Sequence, residues 1–256
     1  MPTVLPSWFR PQLATLLLGL ASLPTHAQTA PAGAAYTGPR FPGGPDSLRL
    51  ALQRLAKTPD APATGELFIR LELDKAGRSR DMTPLNPPPG PQAVRLNKKQ
   101  ARALDAELAK WPAWQLPASS SPAGPVTMTV PVAFGAAASS AALAYGDTDP
   151  IFSASSLGLR PQQPVGHQEL MSFLQRQFRY PADDLRARRE GQAFGYFEVS
   201  EQGKIEQRRI VGSLSLTTDA ELLRVLRQLP DARTPAFYQG HPVRVFCLVP
   251  ITLHIQ

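Results

Sequence analysis

The sequence contains little cysteine and histidine, and this scarcity excludes several kinds of site. A single Cys in 256 residues permits no internal disulfide, no multi-cysteine zinc site and no CxxC redox pair. The four His show neither HxH nor HExxH spacing, so no metal site is expected. Gly212–Ser215 lacks the second glycine of a nucleophile elbow, and no glycine-rich phosphate loop follows a predicted strand. We therefore predict no catalytic residue, no cofactor and no enzymatic activity.

Neither positive nor negative charge is concentrated in any segment of the chain. The net charge is +7, yet residues 28–150 and residues 151–256 each hold 13 basic and 10 acidic residues. The densest basic run, Arg186–Arg189, is flanked by Asp184 and Glu190. A solvated surface of mixed charge is favoured over a phosphate-binding stripe. Nucleic acid is therefore not expected as a partner, and without a predicted catalytic residue no small-molecule substrate is expected either.

Long hydrophobic runs are missing as well. Arg10 precedes the apolar stretch Leu13–Leu23, and Pro24–Ala27 supplies a small-residue exit. This is the pattern of a secretory signal peptide over residues 1–27. The alternative is an uncleaved inner-membrane anchor, but a spanning helix needs about 20 apolar residues and this run is about half as long. Cleavage is favoured, and it predicts an exported protein.

Short sequence matches recur in the same order in two parts of the chain, which indicates an internal duplication. The matches are Pro42–Leu48 with Pro164–Leu170, Thr58-Pro59 with Tyr180-Pro181, Gly65 with Gly191, Gly77 with Gly203, Trp111-Pro112 with Leu229-Pro230, and Val130–Phe134 with Val249–Leu253. Two domains are therefore predicted, residues 41–134 and residues 164–256. A leader is expected at residues 28–40 and an Ala/Ser/Gly/Pro-rich linker at residues 135–163.

Apolar residues at helical spacing predict two helices in each copy. Asp46 is expected to cap the first helix, and Leu170–Leu174 belong to the matching helix of the second copy. The second helix is expected over Asn97–Trp111. Its counterpart is expected to follow Thr218–Glu221, which has the pattern of a capping box.

The strands follow from period-two alternation and from turn residues. Leu67–Leu73 alternates apolar and other residues, which is typical of a half-buried strand, and Gly77 and Gly203 stand where a hairpin turn is needed. Each copy closes with an extended segment, Val126–Phe134 or Val243–Ile255. The order helix, strand, strand, helix, strand predicts an α+β fold in which each copy is a small antiparallel three-stranded sheet with two helices on one face.

The second copy contains a recognisable set of spaced residues. They are Gln177–Pro181, Gly191, Gly203-Lys204, Leu229-Pro230, Pro235, Gly240–Val243 and Val249-Pro250. Together they resemble the TonB C-terminal domain family, over about residues 164–256. The first copy, residues 41–134, resembles the same family more weakly and has Thr58 in place of Tyr180.

The resemblance implies a periplasmic module that binds a short extended peptide of an outer-membrane transporter and takes part in transport across that membrane. A terminal strand at a sheet edge can accept such a peptide through main-chain hydrogen bonds, and Val245→Pro is expected to remove an edge donor. The resemblance also places the segment after the first helix beside the peptide. The predicted peptide-binding residues are Gln177, Phe178, Arg179, Tyr180, Pro181, Val243, Arg244, Val245 and Phe246.

Two alternatives stay open. Family members keep an uncleaved anchor and a Pro-rich spacer, whereas this chain has a cleavable signal pattern and a second domain, so peptide binding rather than force transmission is the expected activity. The alternative function is a periplasmic scaffold or adaptor whose domains pack on each other or form a homodimer through their sheet edges. Tyr180-Pro181 has an alternative of its own, since the pair can simply end a helix and pack the ring.

Overall fold

The structure is a computed structural model that describes residues 34–90, 93–117, 126–135, 141–153 and 167–255. The predicted signal peptide and much of the predicted linker lie outside these residues. In the part of the chain that is described, no helix is long and apolar enough to cross a membrane.

The described residues of the N-terminal half form two helices and one antiparallel sheet. Its elements are α1 (Gly44–Leu55), β1 (Gly65–Leu73), β2 (Ser79–Pro84), α2 (Lys98–Leu108) and β3 (Val126–Phe134). The sheet order is β2-β1-β3, and both pairings of β1 are antiparallel. Leu67, Ile69 and Leu71 of β1 point to the helix side and are fully or almost fully buried there. The predicted alternation of this strand is confirmed.

The C-terminal half repeats this order and adds three short elements. Its elements are α3 (His167–Gln177), α4 (Ala182–Arg186), β4 (Gly191–Val199), β5 (Ile205–Gly212), α5 (Leu216–Arg227), β6 (Ala236–Tyr238), β7 (His241–Val243) and β8 (Val245–Leu253). The main sheet has the order β5-β4-β8, again antiparallel, and β6 pairs with β7. A mixed α+β fold with small antiparallel three-stranded sheets is therefore confirmed, whereas descent from a duplicated domain stays a prediction.

Two helices begin at residues other than those predicted. Gly43, in the left-handed conformation, precedes α1, and Asp46 lies inside the first turn instead of capping it. Ser215 caps α5 by accepting a hydrogen bond from the Thr218 backbone N–H at 3.0 Å. The capping-box prediction for Thr218–Glu221 is wrong, because the helix begins one turn earlier and the Thr218 hydroxyl donates to Asp184 instead.

The helix expected over Asn97–Trp111 is present as α2, and it begins with a capping box. Asn97 accepts from the Gln100 backbone N–H at 2.9 Å, and the Gln100 side chain accepts from the Asn97 backbone N–H at 3.0 Å. This reciprocal pair fixes the start of α2.

An equivalent hydrogen bond is made to the hairpin turn of each half. Gly77 and Gly203 both have positive φ, 76° and 80°. The Trp114 backbone N–H donates to the Gly77 carbonyl at 2.8 Å, and the Ala232 backbone N–H donates to the Gly203 carbonyl at 2.8 Å. The segment after the second helix is therefore held against the turn in the same way in both halves.

The two sheets pack on each other through the faces that their helices do not cover. Phe68 of β1 meets Tyr196 of β4 edge to face, with ring centroids 5.5 Å apart, and Tyr196 stacks on Phe246 of β8 at 5.9 Å. Arg209 lies over the Tyr196 ring at 4.4 Å and forms an ion pair with Glu66 at 2.7 Å. The order of layers is therefore helices, sheet, sheet, helices.

Part of the predicted linker is packed against both halves. Residues 141–153, which we call the strap, bury Leu143 and Phe152 in the C-terminal core and Tyr145 in the N-terminal core. The end of the predicted leader pairs with the strap, since the Tyr36 backbone N–H donates to the Asp147 carbonyl at 3.0 Å. Because residues 135–163 are rich in Ala, Ser, Gly and Pro, the sequence predicted a linker there and did not predict these buried side chains.

Candidate functional site: a groove along the edge of β8

Pro250 determines which backbone groups of β8 face outward. Pro250 pairs with Phe194 of β4, and because proline has no N–H this pair cannot be a hydrogen-bonded one. Phe246, Leu248 and Thr252 lie an even number of residues from Pro250 along β8. Their backbone N–H and carbonyl groups therefore also point away from β4. Proline in a sheet is confined to such edge positions.

This alternation corrects one expectation from the sequence. Val245 lies an odd number of residues from Pro250, so its N–H points toward β4 and not toward the open edge. Val245→Pro would break the ladder between β4 and β8 instead of removing an edge donor.

The strap already occupies the beginning of this edge. Leu143 lies parallel to β8 at Val245, where its N–H donates to the Arg244 carbonyl at 2.8 Å and its carbonyl accepts from the Phe246 N–H at 3.0 Å. Beyond this bridge, no backbone group of the described ranges pairs with the outward groups of Leu248, Pro250 and Thr252. The open part of the β8 edge is therefore Leu248–Thr252.

A groove of about 460 Å³ lies along this open edge, which is within the size range of ligand pockets. One wall is β8, with Cys247, Leu248 and Pro250, and the other includes Thr127–Thr129 of β3. The remaining lining comes from the leader, the strap and the central strands: Tyr36, Thr37, Gly38, Pro39, Ala144, Tyr145, Asp149, Pro150, Arg70, Gln192, Phe194, Val245 and Phe246. We call this cavity the edge groove.

One end of the edge groove carries a carboxylate among aromatic rings. Tyr36 and Tyr145 stack with centroids 4.8 Å apart, and Asp149 lies beside them. Burial raises the pKa of Asp149 to about 6, although the positive charge of Arg40 lowers it in part. Burial also raises the pKa of Tyr36, and the charge of Asp149 adds to this effect. This end therefore holds an acidic group that is poorly solvated and still ionised near neutral pH.

The only cysteine lines the same end of the groove. Burial, and then the charge of Asp149, raise the pKa of the Cys247 thiol to about 12. A nucleophilic cysteine needs a lowered pKa, so this thiol contributes packing and not reactivity.

The other end of the groove carries a cationic group. Arg70 of β1 donates to the Gln192 side-chain carbonyl at 2.9 Å. The Gln192 amide then donates to the Thr252 hydroxyl at 3.1 Å. This chain of hydrogen bonds places Arg70 at the level of Thr252 along β8.

The structure separates two parts of the peptide site predicted from the sequence. The Tyr180 hydroxyl donates to the Arg189 carbonyl at 2.7 Å, next to the end of β4 where Gly191 pairs with Leu253. Val245 pairs with β4 at the opposite end, eight residues or roughly 26 Å along the strand. Tyr180 and Val245 are therefore not neighbours.

The predicted site residues also have structural partners of their own. The Arg179 backbone N–H donates to Glu221 at 2.9 Å, and Arg224 donates to the Gln177 carbonyl at 2.9 Å. Phe178, Tyr180 and Val243 pack at the margin of the C-terminal core, Phe246 is in the core between the sheets, and Pro181 precedes α4 as its N-cap. The binding role of all these residues stays a prediction.

Arg244, another predicted site residue, is paired with several carboxylates. Its guanidinium lies 2.6 Å from Glu206, 3.2 Å from Glu198 and 3.8 Å from Glu201. Three carboxylates therefore compete with any ligand for this side chain.

The groove residues contributed by the leader and the strap were not predicted from the sequence. Tyr36 and Asp149 lie in stretches without hydrophobic periodicity, so no pattern marked them. A usable signal was present, since two of the five Tyr in the chain, Tyr36 and Tyr145, lie in the Ala/Gly/Pro-rich leader and linker.

No group of His, Cys, Asp and Glu in the described part of the chain is arranged to hold a metal ion. Comparisons of the chain with protein-family models, with curated proteins and with solved structures gave no match. The resemblance to a family therefore rests on the quoted residues alone, and function has to be argued from the groove.

Proposed function

We propose that this protein binds an extended peptide, which adds as a further strand to the open edge of β8 in the edge groove. The observation that carries this proposal is the run of outward backbone groups at Leu248, Pro250 and Thr252, which line or adjoin the groove and have no backbone partner among the described residues. An unpaired strand edge beside a groove offers main-chain hydrogen bonds for affinity and side-chain contacts for specificity.

The chemistry of the edge limits what the peptide must offer. Leu248 and Thr252 each present one N–H and one carbonyl, whereas Pro250 presents a carbonyl alone. A bound strand would donate to three carbonyls and accept from two N–H groups. Its alternate side chains would meet Met128 and Phe194, which line the groove.

The partner follows from the resemblance to the TonB C-terminal domain family. We propose that the peptide belongs to an outer-membrane transporter and that the protein takes part in transport from the periplasm. The signal-peptide pattern of residues 1–27 and the terminal edge strand support this assignment. It moves the contact region from Val243–Phe246, where the strap and Arg244 are engaged, to Leu248–Thr252.

Leu248→Pro tests the edge. This substitution removes one outward N–H and keeps the ladder to β4, as Pro250 already does. Loss of one hydrogen bond and the added ring should weaken binding of a synthetic transporter N-terminal peptide at least about tenfold, measured by fluorescence anisotropy. Leu248→Ala is the control, because it shortens the side chain and retains the N–H.

The two variants separate backbone from side-chain recognition. Leu248→Ala should bind within a fewfold of the unmodified protein. Undiminished binding by a folded Leu248→Pro variant would rule out strand addition at this edge.

The alternative hypothesis of a self-associating scaffold has one observation in its favour. The two halves do pack on each other, although they do so through sheet faces and not through edges. Dimerisation in sedimentation velocity that persists with excess peptide and in Leu248→Pro would favour the scaffold.

A further inference from the structure

The two ends of the edge groove carry opposite charges that the described structure leaves unpaired. No Lys or Arg in the described ranges forms an ion pair with Asp149. The nearby Arg40 is engaged elsewhere, because it pairs with Asp147 at 3.3 Å and donates to the Tyr36 carbonyl at 3.4 Å. Asp149 also receives no side-chain hydrogen bond from a described residue. Its charge is therefore available to a ligand in the groove.

Arg70 is in the corresponding position at the other end. Among the described residues its one hydrogen-bond acceptor is the neutral amide oxygen of Gln192, and none of their carboxylates forms an ion pair with it. Glu66, on the same strand, is engaged with Arg209 at 2.7 Å. A ligand carboxylate could reach the guanidinium while the Gln192 bond stays in place, because a guanidinium has five N–H donors.

The spacing between the two charges can be taken from β8. The strap places Asp149 near the start of β8, because Leu143 bridges to Val245 and Thr148 pairs with Phe237 of the β6–β7 hairpin that precedes β8. Arg70 lies at the level of Thr252. The stretch from Val245–Cys247 to Thr252 is about five to seven residues, roughly 17–23 Å in an extended strand. A peptide aligned with β8 has the same rise per residue, and side chains an even number of residues apart leave a strand on the same face, so side chains about six residues apart would reach both charges.

We propose that the edge groove selects an extended peptide that carries one basic and one acidic side chain about six residues apart, the basic one beside Asp149 and the acidic one beside Arg70. This inference rests on the proposed function and specifies its ligand. The apolar and aromatic lining between the two charges, which includes Met128, Phe194 and Leu248, suits uncharged residues in the middle of the peptide.

The test uses three synthetic ten-residue peptides with the same Val/Thr/Ser composition between the variable positions. One carries Lys followed six residues later by Glu, the second carries the same pair in reversed order, and the third carries Gln at both positions. One of the two charged peptides should bind about five- to tenfold more tightly than the Gln peptide at low salt. Which one binds reports whether the peptide runs parallel or antiparallel to β8.

Matched variants identify the charges responsible. Asp149→Asn and Arg70→Gln should each remove most of the preference for the charged peptide and leave binding of the Gln peptide unchanged. The double variant Asp149→Lys with Arg70→Glu should prefer the peptide with the reversed order. Arg49→Gln, on α1 where Arg49 pairs with Asp46, is the control and should retain the preference.

The outcomes separate this inference from the proposed function. Equal binding of all three peptides, abolished by Leu248→Pro, would overturn the charge selection and leave strand addition standing. A preference that survives both Asp149→Asn and Arg70→Gln would also overturn it. Binding of none of the peptides, or of none in an edge-dependent way, would overturn the proposed function itself.

Discussion

At the scale of single residues, Asp184 shows how one buried carboxylate joins two helices. Its side chain is 3% exposed and accepts from the hydroxyls of Ser215, Thr217 and Thr218 at 2.6, 2.7 and 2.7 Å. Asp184 lies on α4, and its donors lie at the start of α5. A helix of five residues has little stability of its own, so this cluster is the reason why α4 forms.

We expect Asp184→Ala to destabilise the protein by about 2–4 kcal/mol, because three hydroxyls lose their acceptor and two of them, on Ser215 and Thr218, belong to buried residues. Urea unfolding followed by circular dichroism measures this loss. Asp183→Ala is the control, since Asp183 is exposed and pairs only with Arg186, and it should change stability by less than about 0.5 kcal/mol. Equal effects of the two substitutions would contradict this role of Asp184.

The pH dependence of the same residue has a defined sign. Burial alone would raise the pKa of Asp184, but hydrogen bonds from Ser215, Thr218 and Thr217, with the charge of Arg189, lower it below the ordinary value. A lowered pKa contributes stability above the pKa of the unfolded chain, and this contribution is lost as pH falls through the folded value. In Asp184→Asn, the free energy of unfolding should therefore fall less steeply as the pH is lowered into the acidic range.

The elements of the fold divide into those that the sequence could predict and those that it could not. The order α1, β1, β2, α2, β3 and its repetition follow from periodicity together with the turn glycines, since β2 buries only Met82 and is predicted by the turn at Gly77. The helix α4 and the hairpin of β6 and β7 have five residues or three, too few for any period. They form through contacts with distant residues, such as those of Asp184, which a local pattern does not contain.

The edge groove could not be predicted from the sequence for a related reason. Terminal strands at sheet edges were expected, and Pro131 and Pro250 mark the outward side of β3 and β8. The strap and the leader complete the groove, however, and they have no regular structure. Asp149 and Tyr36 are brought together by pairing of the leader with the strap, an arrangement that only the folded chain specifies.

Two hairpin turns allow the cost of backbone strain to be separated from the cost of steric contact. Gly203 lies between β4 and β5, and Gly240 lies between β6 and β7. Gly203 and Gly240 both have positive φ, 80° and 79°. A Cβ on Gly203 would meet the Ala232 carbonyl oxygen at 2.5 Å, whereas a Cβ on Gly240 would meet nothing within 4 Å. The two glycines therefore share the conformational requirement and differ in available space.

We expect Gly240→Ala to cost about 1–2 kcal/mol, the strain of a left-handed residue alone. Gly203→Ala should cost about 3 kcal/mol or more, because it also displaces the segment after α5 from the turn. Chemical denaturation of both variants measures the difference. Equal costs would show that the contact between Gly203 and Ala232 contributes nothing to stability.

At the scale of the whole molecule, the packing of the two sheets decides whether the halves unfold together. The core between them is small and aromatic, and Phe68 is its main contribution from β1. Polar contacts surround it: Arg70 bonds to Gln192 at 2.9 Å, and the Ser213 backbone N–H donates to the Asn86 carbonyl at 2.7 Å. This packing should couple the unfolding of the two halves in the intact protein. The coupling should be lost when the Phe68 ring is removed.

The distribution of tryptophan makes this coupling measurable. In protein that begins at Gln28, the remaining two of the three Trp are Trp111 and Trp114, both in the N-terminal half. Tryptophan fluorescence then reports that half alone, while far-ultraviolet circular dichroism reports both. The unmodified protein should show one urea transition at the same midpoint by both probes, since coupled halves unfold as one unit.

Phe68→Ala should lower stability by about 3 kcal/mol and separate the two transitions. Its ring lies between the sheets and makes no contribution to either helix-side core, so its loss should weaken the packing of the two sheets more than either half. Leu50→Ala, at a residue 52% exposed on α1, should leave the transitions coincident. Transitions that already differ in the unmodified protein, or that stay coincident in Phe68→Ala, would show that the sheet faces do not couple the halves. The edge groove takes its walls from β3 in one half and β8 in the other, so a folded Phe68→Ala variant with uncoupled halves should also bind the charged peptide more weakly than Leu50→Ala.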